Sequence, residues 1–381
     1  MSNKYVETKC CEICGDTNLE LVLNLGSHPL CDDLVEVGEQ RVCEEHPIEI
    51  IFCSKCYTAY QKYQVPKKDL FPKTYHYRSR FTADVLSGMS KLVSDCEQVI
   101  GENLEGKKVL DVGCNDGSLL DFFKRKGAVT IGVEPTGAYS DAIDKGHILY
   151  NNFFDEDTAV QIKEENGSPD IITFTNVFAH IEDLNKLLNA LKVVMHSGTV
   201  LVIENHYLGA VIDNFQFDTF YHEHPRTYSL KSFVGIAEKL QMNLFKAEFP
   251  SRYGGNIRVY MQQYIGVWQV HMKNEIQQLV DKYGPLPAKA FPGRASILIK
   301  LLDLDENSIS VVYEKPGSMK IGNFLPGTNI PIRSDDELLR KPFPPVIINL
   351  AWHISEEIRN YLITQGFDGQ IIDIYNPKLD I

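Results

Sequence analysis

No stretch of this chain holds the roughly 20 consecutive apolar residues that a membrane-spanning helix needs. The opening residues, Met1-Ser-Asn-Lys-Tyr-Val-Glu-Thr-Lys9, lack the apolar centre of a secretory signal, so the cytoplasm is the expected location. Positive charge is short as well: 38 Lys and Arg stand against 51 Asp and Glu, a net charge of −13, with no sustained basic block. Bulk nucleic-acid binding rests on neutralising many phosphates, so no nucleic-acid partner is expected, and no membrane partner either. A small anionic substrate held by a few local cations remains compatible with this balance. Internal repeats and low-complexity segments are absent. What is left is an ordinary globular composition, 44% hydrophobic and 23% charged, in 381 residues, enough for two or three domains.

The most informative segment is Val109-Leu-Asp-Val-Gly-Cys-Asn-Asp-Gly117. A short apolar run reads as a buried strand, breaks into a glycine turn, and continues as a helical pattern from Ser118. Such a turn lets a ligand lie against bare backbone. A second strand, 129–133, ends in Glu134, where a carboxylate can hold the two hydroxyls of a ribose. A dinucleotide loop of the dehydrogenase kind would want Gly-x-Gly-x-x-Gly. Here the spacing is Gly113-x-x-x-Gly117, with Asn115 and Asp116 inside. A loop carboxylate repels pyrophosphate and suits a cationic ligand, which favours S-adenosylmethionine over NAD. The expected cofactor set is Asp111, Gly113, Asn115, Asp116, Gly117 and Glu134, joined by Asn176 after a later strand and by Tyr77 and Ser79 before the long helix, where packing is an equal reading of the tyrosines.

The nine cysteines are too uneven for a disulfide framework. Cys11-Glu-Ile-Cys14 and Cys53-Ser-Lys-Cys56 form two Cys-x-x-Cys knuckles. Together they offer four thiolates, the number that tetrahedral zinc takes, with no open position for catalysis. A structural Zn2+ is therefore expected; a redox pair or plain buried thiols are the other readings.

The pattern divides the chain into a zinc-binding domain (1–72), an alternating strand–helix domain (73–265) and a smaller C-terminal α/β domain (266–381). The first is too small to hold itself together by core alone, so metal would supply folding energy. A bridging segment with Tyr75, Tyr77 and Ser79 leads into a long helix, about 81–100. Strands are expected at 107–112, 129–133, 170–175, 198–204, 242–248 and 256–263, a doubly wound sheet with ligands at the strand carboxyl ends. In the third domain, 288–294 and 322–331 read as loops.

Chemistry concentrates after the strand at 198–204. Asn205-His-Tyr and then Asp218-Thr-Phe-Tyr-His-Glu-His224, the latter with six polar or titratable groups, fall near the cofactor mouth. Tyr221, Glu223 and His224 make a base with supporting groups; histidine suits proton abstraction near neutral pH. A metal reading of His222 and His224, or a merely solvated loop, competes. His180, in Asn176-Val-Phe-Ala-His180, is as compatible with structure as with function. Arg258, in Gly254-Gly-Asn-Ile-Arg258, could meet a phosphate.

The ordered set resembles the three-domain sugar-nucleotide C-methyltransferases: paired Cys-x-x-Cys, Tyr-x-Tyr-x-Ser, Val-Gly-Cys-Asn-Asp-Gly, Asn-Val-Phe-Ala-His, Tyr-His-Glu-His, Gly-Gly-Asn-Ile-Arg and Leu-Pro-Gly-Thr-Asn-Ile-Pro. The resemblance covers nearly the whole chain. It implies a Rossmann-like class I methyltransferase domain between the zinc-binding and C-terminal α/β domains. It implies methylation, typically at C3, of a 4-keto-6-deoxyhexose linked to dTDP, GDP or CDP; an O- or N-methyltransferase on a sugar or other small molecule and a non-catalytic zinc-bearing scaffold are the other readings. His224 would be the base, with Tyr221, Glu223 and His180 beside it. Tyr75, His222, Asn205, Arg258, Lys289 and Arg294 would meet the substrate. The family's C-terminal loop usually reads like Ala-Lys-Gly-Asn-Thr; here it is Ala288-Lys-Ala-Phe-Pro-Gly-Arg294, a departure for which Arg294 would be the compensating cation.

Overall fold

A computed structural model describes residues 4–71, 78–100 and 103–375. Two compact units result, Met1–Tyr264 and Ile265–Ile381.

The first unit is built on seven strands: β1 (Lys108–Val112), β2 (Val129–Val133), β3 (Ile148–Tyr150), β4 (Ile171–Thr175), β5 (Val200–His206), β6 (Asn243–Glu248) and β7 (Asn256–Gln262). Their order in the sheet is β3-β2-β1-β4-β5-β7-β6. All run parallel except β7, which is antiparallel to β5 and β6. The central strands are apolar along their length because helices cover both faces. Ile131, Ile172, Leu201 and Ile203 are fully buried, each worth about 1.5–3 kcal/mol against exposure. Helix starts follow side-chain caps: Asp155 accepts from Thr158 N, Asp183 from Lys186 N, and Ser229 and Ser232 form a capping box. The long helix is Ala83–Ile100.

The cysteine knuckles, read from the sequence as a domain of their own, fall inside this unit. Their strands Glu20–Pro29, Glu45–Cys53 and Thr58–Gln61 form a sheet whose fourth strand is Arg226–Thr227, from far along the chain. Arg226 is buried and bridges the two parts. Its guanidinium pairs with Glu12 and donates to the carbonyls of Ile181 and Glu182.

The second unit holds five parallel strands, in the order Ile332–Ser334, Ile309–Glu314, Leu286–Lys289, Val346–Asn349, Gln370–Asp373. Two of these, Leu286–Lys289 and Ile332–Ser334, lay outside the sequence reading. Ala288 and Lys289, expected in a loop, therefore lie at the centre of a sheet.

Candidate active site

A cavity of about 340 Å³ opens at the carboxyl ends of β1, β2, β4 and β5. Gly113, Asn115 and Glu134 line one part, and His180, His206, Tyr221, His224 and Tyr253 another. Ser79 and Asn176 also face it, whereas Tyr75 and Tyr77 lie outside the described residues.

Backbone shape makes the first part. Gly113 has φ +72°, and a Cβ there would meet Val177 Cγ2 at 2.6 Å, so only glycine fits between this loop and the segment that follows β4. Glu134, buried at the end of β2, accepts from the backbone N–H of Asn115 at 3.0 Å and of Thr136 at 2.8 Å. Asp111 lies behind the cavity and not in its wall. Its oxygen accepts from Thr173 Oγ1 at 2.6 Å, and burial pushes its carboxyl up to about 7 despite that bond. Gly117 opens the helix Ser118–Lys124, away from the cavity.

Asn115 and Asp116 were expected to meet a cationic cofactor, and their oxygens point elsewhere. Asn115 Oδ1 accepts from Ser79 N at 3.1 Å. Asp116, fully buried and outside the cavity wall, accepts from Arg80 N at 3.0 Å and from Ser118 Oγ at 2.6 Å. The loop's polar side chains hold down the segment that leads into the long helix. Asn115 still reaches the cavity wall.

The second part is a cluster of three imidazoles. His224 Nδ1 lies 3.1 Å from the carbonyl of Thr219. A carbonyl only accepts, so Nδ1 carries the proton and Nε2 holds the lone pair, which meets the Tyr221 hydroxyl at 3.1 Å. His180 Nδ1 likewise donates to the carbonyl of Glu223 at 2.8 Å. His180 and His206 rings stand 4.7 and 5.3 Å from His224, centroid to centroid. Burial pushes His180 down to about 4. Burial first, then His180 and His206, holds His224 well below the usual imidazole range. All three are therefore neutral near pH 7.

Several expected substrate groups are engaged away from the cavity. Arg258 is buried, donating from Nε to Glu204 at 2.7 Å and from Nη1 to Asp95 at 2.8 Å. Its charge is neutralised in the interior, with none left for a phosphate. His222 turns away and donates from Nε2 to the carbonyl of His46 at 3.0 Å. Asn205 is buried on the strand face opposite to Glu204 and His206. Glu223 reaches the cluster through its carbonyl; its side chain is not in the cavity wall. In the second unit, Lys289 is buried against Asp335 at 2.9 Å. Arg294 is exposed and stacks over Trp352 at 5.3 Å. His206, Tyr253, Lys67 and Lys186 line the cavity and were not singled out from the sequence. For His206 the signal was strand alternation, which sets it on the same face as Glu204.

Cys11, Cys14, Cys53 and Cys56 place their sulfurs within 4.8 Å of one another. The closest pairs are Cys11–Cys56 at 3.3 Å and Cys14–Cys53 at 3.5 Å. Tetrahedral Zn–S bonds of about 2.3 Å separate sulfurs by about 3.8 Å, so the four thiols suit that ion.

Three family models match the chain in order: a zinc binding domain over residues 11–71, a methyltransferase domain over 76–246 and a C-methyltransferase C-terminal domain over 270–372. The chain has the three-domain architecture of a C-methyltransferase. C-methyltransferase NovU of Streptomyces niveus is 24% identical over 384 residues, spanning 91% of this chain and 90% of that protein. The ubiquinone biosynthesis O-methyltransferase of Bartonella tribocorum is 34% identical over 86 residues, 22% of this chain and 34% of that one. Among solved structures, magnesium protoporphyrin IX methyltransferase of Synechocystis PCC 6803 aligns at a TM-score of 0.38 and 14% identity, over 47% of this chain and 83% of that chain, too low to bear on function.

The cofactor of this C-methyltransferase is S-adenosylmethionine, and its residues fit that ligand. A carboxylate has about four lone-pair positions. Two on Glu134 are taken by backbone N–H groups, leaving the rest for ribose hydroxyls. Zinc is the second resident group, which the four cysteines would hold. No helix among the described residues is long and apolar enough to cross a membrane.

Proposed function

We propose that this C-methyltransferase acts on a nucleotide-linked 4-keto-6-deoxyhexose, adding the methyl group at C3 by way of an enolate. The observation that supports this reading is the His224–Tyr221 pair, in the same cavity as the Glu134 cradle. Carbon is a poor nucleophile until a proton leaves it, so an enzyme of this kind needs a base that is neutral at working pH. A ketone at C4 acidifies the C3 proton. His224 Nε2 takes that proton, and its fixed Nδ1–H, on Thr219 O, carries the developing positive charge toward a carbonyl. Tyr221 moves its hydroxyl from Nε2 toward the substrate as the sugar enters. His180, oriented by the Glu223 carbonyl, packs the base from the other side.

When bound, S-adenosylmethionine supplies an electrophilic methyl on a sulfonium sulfur, which keeps the C–S electron pair. The chain excludes water from the reacting carbon with Val85, Met89, Phe154 and Leu187. Lys289, neutralised by Asp335, is given no part in holding the nucleotide phosphates.

The test is solvent exchange followed by product NMR. The zinc-loaded protein with S-adenosylhomocysteine should exchange the C3 proton of a 4-keto-6-deoxyglucose linked to dTDP, GDP or CDP in deuterated water. With the methylated cofactor, a new methyl on a quaternary carbon should appear. His224→Asn should abolish both and keep cofactor affinity. Absence of exchange and product with all three nucleotides would falsify the reading.

A further inference from the structure

We propose that His206 is a second catalytic imidazole of this site, the donor to the substrate oxygen on which negative charge collects. This rests on the enolate reading above. Removing a proton from carbon sends the C–H electron pair into the carbonyl, so oxygen becomes the anion. A base alone is then half a site; a preorganised N–H or O–H must face that oxygen.

The three imidazoles are not equivalent. His224 has both ring nitrogens committed, to Thr219 O and to the Tyr221 hydroxyl. His180 has Nδ1 committed to Glu223 O. No hydrogen bond of the His206 ring is found among the described residues, yet the ring lines the cavity. It sits at the last residue of β5, on the sheet edge where ligands of doubly wound folds lie. Its ring centroid is 5.3 Å from that of the base and 5.6 Å from that of Tyr253, whose backbone is in the left-handed region at φ +53°. A ketone oxygen is two bonds from the carbon that loses its proton, so base and donor must be close but distinct, as these two rings are.

The groups that face His206 are His224, His180, Tyr253 and, from the segment before the base, Asp218. Burial lowers its basicity and Asp218 opposes that. The result is a neutral ring with one N–H, and a neutral imidazole is a competent donor to a developing enolate.

The test uses the zinc-loaded full chain with the same three sugar nucleotides, measuring C3 exchange, methyl transfer and cofactor affinity by calorimetry. His206→Ala should slow exchange and transfer together by about 100-fold or more, with the loss in kcat, KM within threefold and cofactor Kd unchanged. His206→Gln, which restores an N–H at the position of Nε2, should recover at least tenfold of that loss. A loss below tenfold in His206→Ala overturns the donor role, as does a His206→Gln variant no better than alanine. Exchange absent from the wild-type protein with every nucleotide overturns the enolate reading and the donor with it; exchange present but indifferent to His206 overturns the donor alone.

Discussion

Glu204 should be the costliest single charge to remove from the first unit. Its carboxylate is fully buried at the end of β5 and accepts from Arg258 Nε at 2.7 Å, Asn256 Nδ2 at 3.0 Å and the Arg252 guanidinium. Glu204→Gln keeps the shape and deletes the charge. Arg258 retains Asp95, but Arg252 is left, among the described residues, with the Val85 carbonyl, 3.0 Å from its Nη1. Breaking a buried pair by removing one partner costs about 3–5 kcal/mol. For a unit of this size that lowers the melting temperature by roughly 10 °C. The assay is thermal and urea unfolding of the zinc-loaded protein, wild type against Glu204→Gln. The pH dependence adds a second handle. Burial raises the Glu204 carboxyl, but Arg258 and Arg252 outweigh it and hold it below the ordinary value. A depressed carboxyl contributes stability above its unfolded pKa, about 4.3, and loses it as pH falls through the lower folded value. The gap between wild type and variant should therefore be full at pH 7 and narrow in acid. A Glu204→Gln protein that melts within 2 °C of wild type at pH 7 would refute the reasoning.

Other outcomes follow from the same geometry. Gly88→Ala puts a Cβ 2.0 Å from Arg252 Nη1; it should destabilise about as much as Glu204→Gln, and the double variant should fall well short of the sum in a double-mutant cycle. Glu134→Ala should weaken S-adenosylhomocysteine binding by at least tenfold in calorimetry without shifting the melting temperature upward; unchanged affinity would remove Glu134 from the cofactor cradle. Metal analysis should find one zinc per chain, and Cys53→Ser should both lose it and lower the unfolding midpoint. His180 and His224 are depressed, so the unfolded chain binds protons that the native one does not between about pH 6.5 and 4. Stability should fall as pH drops through that window, less steeply in His180→Asn; equal slopes would deny the burial of the ring.

Local signals carried much of the architecture into the sequence. Apolar strand runs followed by glycine turns or capped helices gave strand positions close to those observed, because each depends on residues within a few positions of one another. What could not be read was which polar group lies across from which. Arg258 looks like a phosphate ligand because its neutralising partners are 54 and 163 residues away. Asp116 looks like a cofactor contact because the backbone N–H it caps, that of Arg80, is 36 residues upstream. Lys289 was read in a loop, while its acid, Asp335, belongs to a helix far along the chain. His206 was legible in principle: strand alternation separates it from Asn205, and the run of polar residues hid that alternation.

The strand Thr58–Gln61 completes its sheet only with Arg226–Thr227, and Thr58 Oγ1 meets Ser232 Oγ at 2.8 Å across 174 positions of sequence. During synthesis the cysteine knuckles emerge before Arg226–Thr227, at a few to some twenty residues per second, so for several seconds they have a metal site but an unpaired strand edge. Zinc captured early would hold the knuckles as a nucleus awaiting its partner; zinc captured late would leave that edge open to other chains. Metal supply during translation, more than metal affinity of the finished protein, should therefore decide the soluble yield of this enzyme.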